Sequence, residues 1–144
     1  MTVYTSRVAL GHDSKVEAMA KVPLFSRCSK PELRKIAQLA DEVDIRAGRK
    51  LTREGARGRE FFILLEGEAD VRSNTRLLPP LHAGDFLGEI ALITDAPRTA
   101  TVTATTPIRA LVITDRAFRE LLRRSPDIQT KILEAVATRL AATP

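Results

Sequence analysis

From Arg98 the chain reads Arg-Thr-Ala-Thr-Val-Thr-Ala-Thr, a strict alternation of threonine with small apolar residues. Side chains on a strand point to opposite faces at successive residues, so this pattern predicts a β-strand. Ala100, Val102 and Ala104 share the inner face, and Thr99, Thr101, Thr103 and Thr105 share the outer one. Arg98 has the parity of the inner face. A guanidinium placed there needs a partner. Ten residues earlier Gly88 precedes a carboxylate, Glu89, which is followed by the apolar run Ile90-Ala91-Leu92.

Between Asp41 and Ile113 short apolar or alternating runs are separated by glycines at 48, 55, 58 and 67. Phe61 to Leu65 is a continuous apolar strand closed by Glu66-Gly67, Ala69-Asp70-Val71 follows as an alternating segment, and Ile108 to Ile113 forms the last strand. Many short strands with glycine turns predict a sandwich or barrel. Residues 72–83 look short for a hairpin, and Pro79-Pro80 is expected to interrupt pairing at an edge.

The flanks read as helix. Residues 13–21 carry Val16, Met19 and Ala20 at helical spacing, and Ser29-Lys30-Pro31-Glu32 is a capping box opening a helix to about Leu39. Helix returns at Thr114, with Phe118, Leu121 and Leu122 as one stripe. Ser125-Pro126 then starts a last helix to about Ala142, with Ile128, Ile132, Leu133, Val136 and Leu140 expected inside.

With 144 residues and a 44% hydrophobic, 28% charged composition, the chain reads as one globular domain, 1–144. Within it 1–40 are N-terminal helices, 41–113 the strands and 114–144 the C-terminal helices. No apolar run approaches a membrane span, no secretory leader is evident, and the lone Cys28 fits a reducing compartment, so a cytoplasmic location is expected. The net charge of +5 is dispersed. Arg116, Arg119, Arg123 and Arg124 read as a solvated helix stripe, and no aromatic-interleaved basic run points to nucleic acid. His12 and His82 stand alone, without the spacing of a metal site, and no nucleophile elbow or P-loop suggests an enzyme.

A glycine before a short helical turn lets the backbone N–H groups of residues 89–91 approach an anion, and Arg98 adds a two-pronged contact to the same group. A carboxylate beside that anion would be repelled, so Glu89 suits a hydroxyl. The bland alternative is a structural Glu89–Arg98 ion pair with no ligand. Gly84-Asp85-Phe86-Leu87-Gly88-Glu89-Ile90-Ala91-Leu92 followed by Pro97-Arg98-Thr99-Ala100-Thr101 resembles the phosphate-binding cassette of the cyclic nucleotide-binding domain family. The glycines at 48, 55 and 67 are similar to that family's turn positions.

The resemblance implies a mainly β fold with flanking helices: an eight-stranded jelly-roll barrel, with the cassette at 84–101, N-terminal helices and two C-terminal ones. It implies a ligand, cyclic AMP in preference to cyclic GMP, contacted by Leu87, Gly88, Glu89, Ile90, Ala91, Arg98, Thr99 and Ala100. Arg98 would hold the cyclic phosphate, Glu89 the ribose 2′-hydroxyl, and residues 88–91 would supply backbone donors. Thr99 touches the purine in some members, whereas strand parity turns it away from Arg98; both readings stand at this point. Signalling would follow from repacking of the C-terminal helices. The alternatives are a degenerate barrel serving as a protein-interaction module and the effector domain of a truncated transcription regulator. A homodimer through the last helix, or an unidentified protein effector, is the partner expected besides the nucleotide.

Overall fold

The computed structural model describes residues 4–6 and 12–142. In chain order it contains β1 (Tyr4–Ser6), α1 (His12–Ala20), α2 (Lys30–Ala37), β2 (Asp41–Ile45), β3 (Lys50–Thr52), β4 (Glu60–Glu66), β5 (Ala69–Ser73), β6 (Arg76–Leu81), β7 (Phe86–Leu87), β8 (Thr101–Ala104), β9 (Ile108–Thr114), α3 (Asp115–Arg124) and α4 (Pro126–Ala142). Short 3-10 turns at Pro23–Phe25 and Glu89–Leu92 complete it.

The strands form two antiparallel sheets, β1-β2-β9-β4-β7 and β3-β8-β5-β6. The expected eight-stranded barrel is therefore a nine-stranded, jelly-roll-like pair of sheets among the described residues, joined by no ladder between them. The ninth strand is β1, which adds to the edge of β2 from Tyr4↔Ile45 to Ser6↔Val43.

The apolar run at 61–64 is explained by burial on both faces. Phe61 and Ile63 of β4, with Leu111 and Ile113 of β9, face the helices. Phe62 and Leu64, with Ala110 and Val112, face the second sheet and meet Leu51, Ala69, Val102 and Ala104. On the helix side Phe25 contacts Phe61 edge-on at 6.0 Å and Phe118 at 5.8 Å. Aromatic pairs at this spacing add to their area burial.

The helix ends follow the sequence signals closely. Ser29 accepts from the Glu32 N–H at 3.4 Å, while the Glu32 carboxylate accepts from the Ser29 N–H at 2.8 Å. Thr114 caps α3 by accepting from the Ala117 N–H. Three details differ. Ala20 is exposed, because α1 turns only Val16 and Met19 inward. On α4, Leu133 is 64% exposed while Ile128, Ile132 and Ala135 are buried, since 128, 132 and 135 fall on one helical stripe and 133 lies about 100° round from 132. Leu140 lies outside the residues whose side chains are described.

The third concerns residues 72–83, which suffice for a hairpin. Asn74 and Thr75, both at positive φ (50° and 67°), close a two-residue turn between β5 and β6. Pro79-Pro80 sits inside β6, an edge strand, where the register shifts from Val71↔Leu78 to Ala69↔Leu81. Three residues of β6 cover what two of β5 span, so the prolines occupy a bulge at an edge and break no ladder.

No helix among the described residues is long and apolar enough to cross a membrane. Helix α4 is tied to the N-terminal helices by Lys131, whose Nζ lies 2.5 Å from the Glu32 carboxylate, and by Arg27, which donates to the Thr138 hydroxyl at 2.9 Å. The Lys131 hydrogen bond is the main cause holding the Glu32 carboxyl below its ordinary range, and the same bond raises Lys131 above its own. A lowered carboxyl stabilises the fold above its unfolded pKa and loses that contribution as pH falls through the folded value; a raised amine contributes below its unfolded pKa and loses it on alkalinisation. Glu32→Gln keeps the capping box and removes the charge. The melting-temperature gap between wild type and Glu32→Gln is expected to be largest near neutrality. It should narrow below pH 4.5 and again above pH 10.5 in melts followed by circular dichroism.

Candidate functional site

The site is built around a glycine between a short strand and a 3-10 turn. Strand β7 pairs with β4 through Phe62↔Leu87 and Ile63↔Phe86, fixing the chain up to Leu87. Gly88 then adopts φ 82°, a left-handed conformation that side-chain-bearing residues rarely take. A Cβ there would strike the Arg98 guanidinium and lie 2.7 Å from the Glu60 carbonyl oxygen. Glycine is needed both for the turn and for the approach of the arginine.

Residues Glu89–Leu92 follow as a single 3-10 turn. It is braced by Ala91 N–H to Gly88 O at 3.0 Å and by the Ile93 and Thr94 N–H groups to Ile90 O at 3.1 and 2.9 Å. The Ala91 N–H was expected to face a ligand; here it is engaged within the turn, because a 3-10 turn bonds i to i+3.

Arg98 enters from the other side. Its backbone is locked to the loop ahead of β4: the Arg98 N–H donates to Ala56 O and the Gly55 N–H donates to Arg98 O, both at 2.8 Å. The side chain runs over Gly58, where a Cβ would fall 2.5 Å from Nε and 2.8 Å from Cδ, and ends beside Gly88. Nη2 donates to the Glu60 carbonyl at 2.5 Å. Burial pushes the Arg98 pKa below its ordinary value, opposed by the Glu60 carboxylate. Guanidinium remains cationic in proteins even so. The geometry is a clamped, half-buried cation, with Nη2 turned to a backbone oxygen and Nη1 toward Gly88.

Beside Arg98 lies a cavity of about 470 Å³. All eight residues singled out from the sequence line it: Leu87, Gly88, Glu89, Ile90, Ala91, Arg98, Thr99 and Ala100. Glu89 is a buried carboxylate at 6% exposure, and Ile90, 42% exposed, stands at the rim. Thr99 is exposed yet lines the cavity. Strand parity does not apply to it, because β8 begins only at Thr101 and the chain is still irregular at 99.

The remaining walls were not read from the sequence. Val71 of β5 and Leu78 and Leu81 of β6 form an aliphatic side, with Phe86, Val102 and the Thr52 hydroxyl, which donates to Ala100 O at 2.9 Å. Leu78 and Leu81 reach the same space only because of the bulge at Pro79-Pro80; regular alternation would pair 78 with 80.

The fold and site define a β-sandwich module in which a half-buried cation and a buried acid line an aliphatic-walled cavity. Residues 42–125 match the model of the cyclic nucleotide-binding domain. The chain belongs to the cyclic nucleotide-binding domain family. It is 38% identical over 110 residues to the cAMP-dependent protein kinase regulatory subunit of Mycosarcoma maydis, a match covering 70% of this chain and 21% of that one. The chain thus spans about a fifth of that relative's length. Among solved structures it is similar to the N-terminal domain of a transcriptional regulator from Streptomyces coelicolor A3(2), with a TM-score of 0.79 and 26% identity over 86% of this chain and 92% of that one. It also resembles a cyclic nucleotide-binding-like protein from Brucella abortus, with a TM-score of 0.70 and 28% identity, covering 77% of this chain and 99% of the other.

The two glycines under Arg98 give separable expectations. Gly88→Ala combines a strained φ with a direct clash and should destabilise the fold by about 1–3 kcal/mol in denaturant titration. Gly58→Ala has no strained φ but puts a methyl within 2.8 Å of Arg98 Nε, Cδ and Cζ, so a crystal structure should show the guanidinium displaced from the Glu60 carbonyl and the melting temperature should fall by less than in Gly88→Ala.

Proposed function

We propose that the cavity beside Arg98 binds a cyclic nucleotide, cyclic AMP in preference to cyclic GMP, and that this chain is a non-catalytic regulatory domain of the cytoplasm. The observation that carries the reading is the clamped Arg98 guanidinium facing a cavity of about 470 Å³, a size usual for small-molecule sites. Arg98 holds the single negative charge of the cyclic phosphate, with the backbone of residues 88–91 alongside. Glu89 accepts from the ribose 2′-hydroxyl, a role a buried carboxylate fills without facing the phosphate. The aliphatic side, Val71, Leu78 and Leu81, packs on the flat faces of the purine. Leu87, Ile90 and Ala100, which line the cavity, complete the enclosure, and in this reading Thr99, also on its lining, touches the base. The cyclic AMP preference draws on the M. maydis relative, whose name marks it as cAMP-dependent.

The output is a change in how the C-terminal helices pack, by population shift. Among the described residues neither α3 nor α4 lines the cavity, so the signal passes through the turn at 89–92, against which α3 packs. Residues 1–144 act as one domain, and its partner is a second copy through α4 or a protein effector. A second reading, the effector domain of a transcription regulator, is favoured by the likeness to the Streptomyces regulator domain.

Titration calorimetry tests the ligand. Cyclic AMP is expected to bind at micromolar concentration or tighter, and Arg98→Ala to weaken binding by about 2–5 kcal/mol, the cost of truncating one member of a buried charge pair. Glu89→Gln should cost less, and its penalty should shrink with 2′-deoxy cyclic AMP. Absence of heat with both cyclic nucleotides on folded protein would refute the reading. Cys28, held half-buried against the helix-side core and pushed up to about 11 chiefly by burial, gives the helices a reporter. Its alkylation should be slow at pH 7.5 with α4 docked, and ligand-driven repacking should change the rate; the same rate at zero and saturating nucleotide would remove the repacking step.

A further inference from the structure

Four arginines of α3 read from the sequence as one solvated stripe, and one of them leaves it. Arg123 and Arg124 pair with Glu120 on the exposed face, and Arg116 is exposed. Arg119 instead reaches back across the cassette. Its Nε donates to the Leu92 carbonyl at 3.3 Å and its Nη2 to the Thr94 carbonyl at 3.2 Å, with Nη2 3.5 Å from the Asp95 carboxylate. Asp95 is held from the other side by Arg57, 3.2 Å away, on the loop that also bridges Pro97 and bonds the Arg98 backbone.

These contacts hold the 92–95 end of the segment whose residues 89–91 and 94 line the cavity. Glu89, Ile90 and Ala91 border the cavity, Leu92 is fully buried, and its carbonyl lies under Arg119. Bonds within the turn, including the Thr94 hydroxyl to Ile90 O at 3.1 Å, brace residues 88–94 against one another. The backbone end of Arg119 is anchored by α3, where neighbouring Phe118 is fully buried against Phe25 in the helix-side core.

Resting on the cyclic nucleotide reading, we propose that Arg119 is a positioning residue of the ligand site: acting from α3 through the turn at 89–92, it sets where Glu89 and the cassette backbone stand relative to Arg98. It touches no ligand. Its planar fork suits two carbonyls and a carboxylate at once, which an ammonium cannot match. Because the clasp joins the cassette to α3, linkage requires reciprocity: nucleotide and α3 docking favour or oppose each other by the same factor.

The test compares wild type, Arg119→Gln, Arg119→Lys and Arg116→Gln, each titrated with cyclic AMP and with cyclic GMP by calorimetry after a melt confirms folding. Arg119→Gln is expected to raise Kd about five- to tenfold, within the usual range of coupling between sites. Arg119→Lys, which restores the charge on a single nitrogen without the planar fork, should recover part of that loss and serves if the glutamine variant does not fold. Arg116→Gln removes the same charge from the exposed side of the helix and should leave Kd unchanged. An Arg119→Gln Kd equal to wild type, even with a lowered melting temperature, overturns the proposal, since the contact would then be packing alone. So does an equal loss in Arg116→Gln, which would mark a long-range charge effect. Failure of the wild type to bind either nucleotide removes this proposal together with the reading beneath it, whereas wild-type binding with an unaffected Arg119→Gln removes this proposal alone.

Discussion

A guanidinium resting on two glycines organises this molecule. Arg98 can lie half-buried only because Gly58 and Gly88 have no side chains where its own must pass, and only because the Glu60 carbonyl meets its Nη2. Three separate stretches therefore have to arrive together: the loop before β4, the glycine after β7 and the approach to β8. Backbone bonds at 55–56 and 98 secure two of them, and the β4–β7 ladder secures the third. A buried cation without such support would be costly, and the surrounding structure is arranged so that a clamped charge borders open space.

Strands β4 and β9 connect that charge to the rest of the fold. Each is buried on both faces, one set of side chains facing the helices and the alternate set facing the second sheet. The two cores are thus separated by a single layer of backbone. Glu60, whose carbonyl receives Arg98, is the first residue of β4, and Phe61 beside it packs on Phe25, which in turn touches Phe118 of α3. Strand β4 thus joins the helix-side core to the arginine clamp, Phe61 packing on the helices while the Glu60 carbonyl holds Arg98.

Much of this was legible in the sequence where chemistry is local. The capping box at Ser29–Glu32, the start of α4 at Pro126, and the alternation after Arg98 follow from adjacent residues. The eight cavity residues are grouped by the resemblance of 84–92 and 97–101 to a known cassette, and all eight line the cavity. What escaped depends on distant partners. The bulge that turns Leu78 and Leu81 to the same side arises from pairing with β5, and nothing in Leu77-Leu78-Pro79-Pro80-Leu81 alone fixes its register. Leu133 looks equivalent to Ile132 until the helix is docked on one face. Arg119 is indistinguishable from its neighbouring arginines along the chain, and only the fold of the cassette places carbonyls within its reach.

The paired prolines of β6 also bear on how the protein behaves in company. A rim strand normally offers a row of amide hydrogens to any passing chain, the usual seed of sheet-to-sheet stacking and fibril growth. Pro79 and Pro80 have no such hydrogens to offer, and the kink they occupy bends the rim away from a flat template. The same two residues that shape the aliphatic side of the cavity thereby keep its outer border from recruiting a neighbour, leaving the hairpin to face crowded solution as a terminus of the sheet.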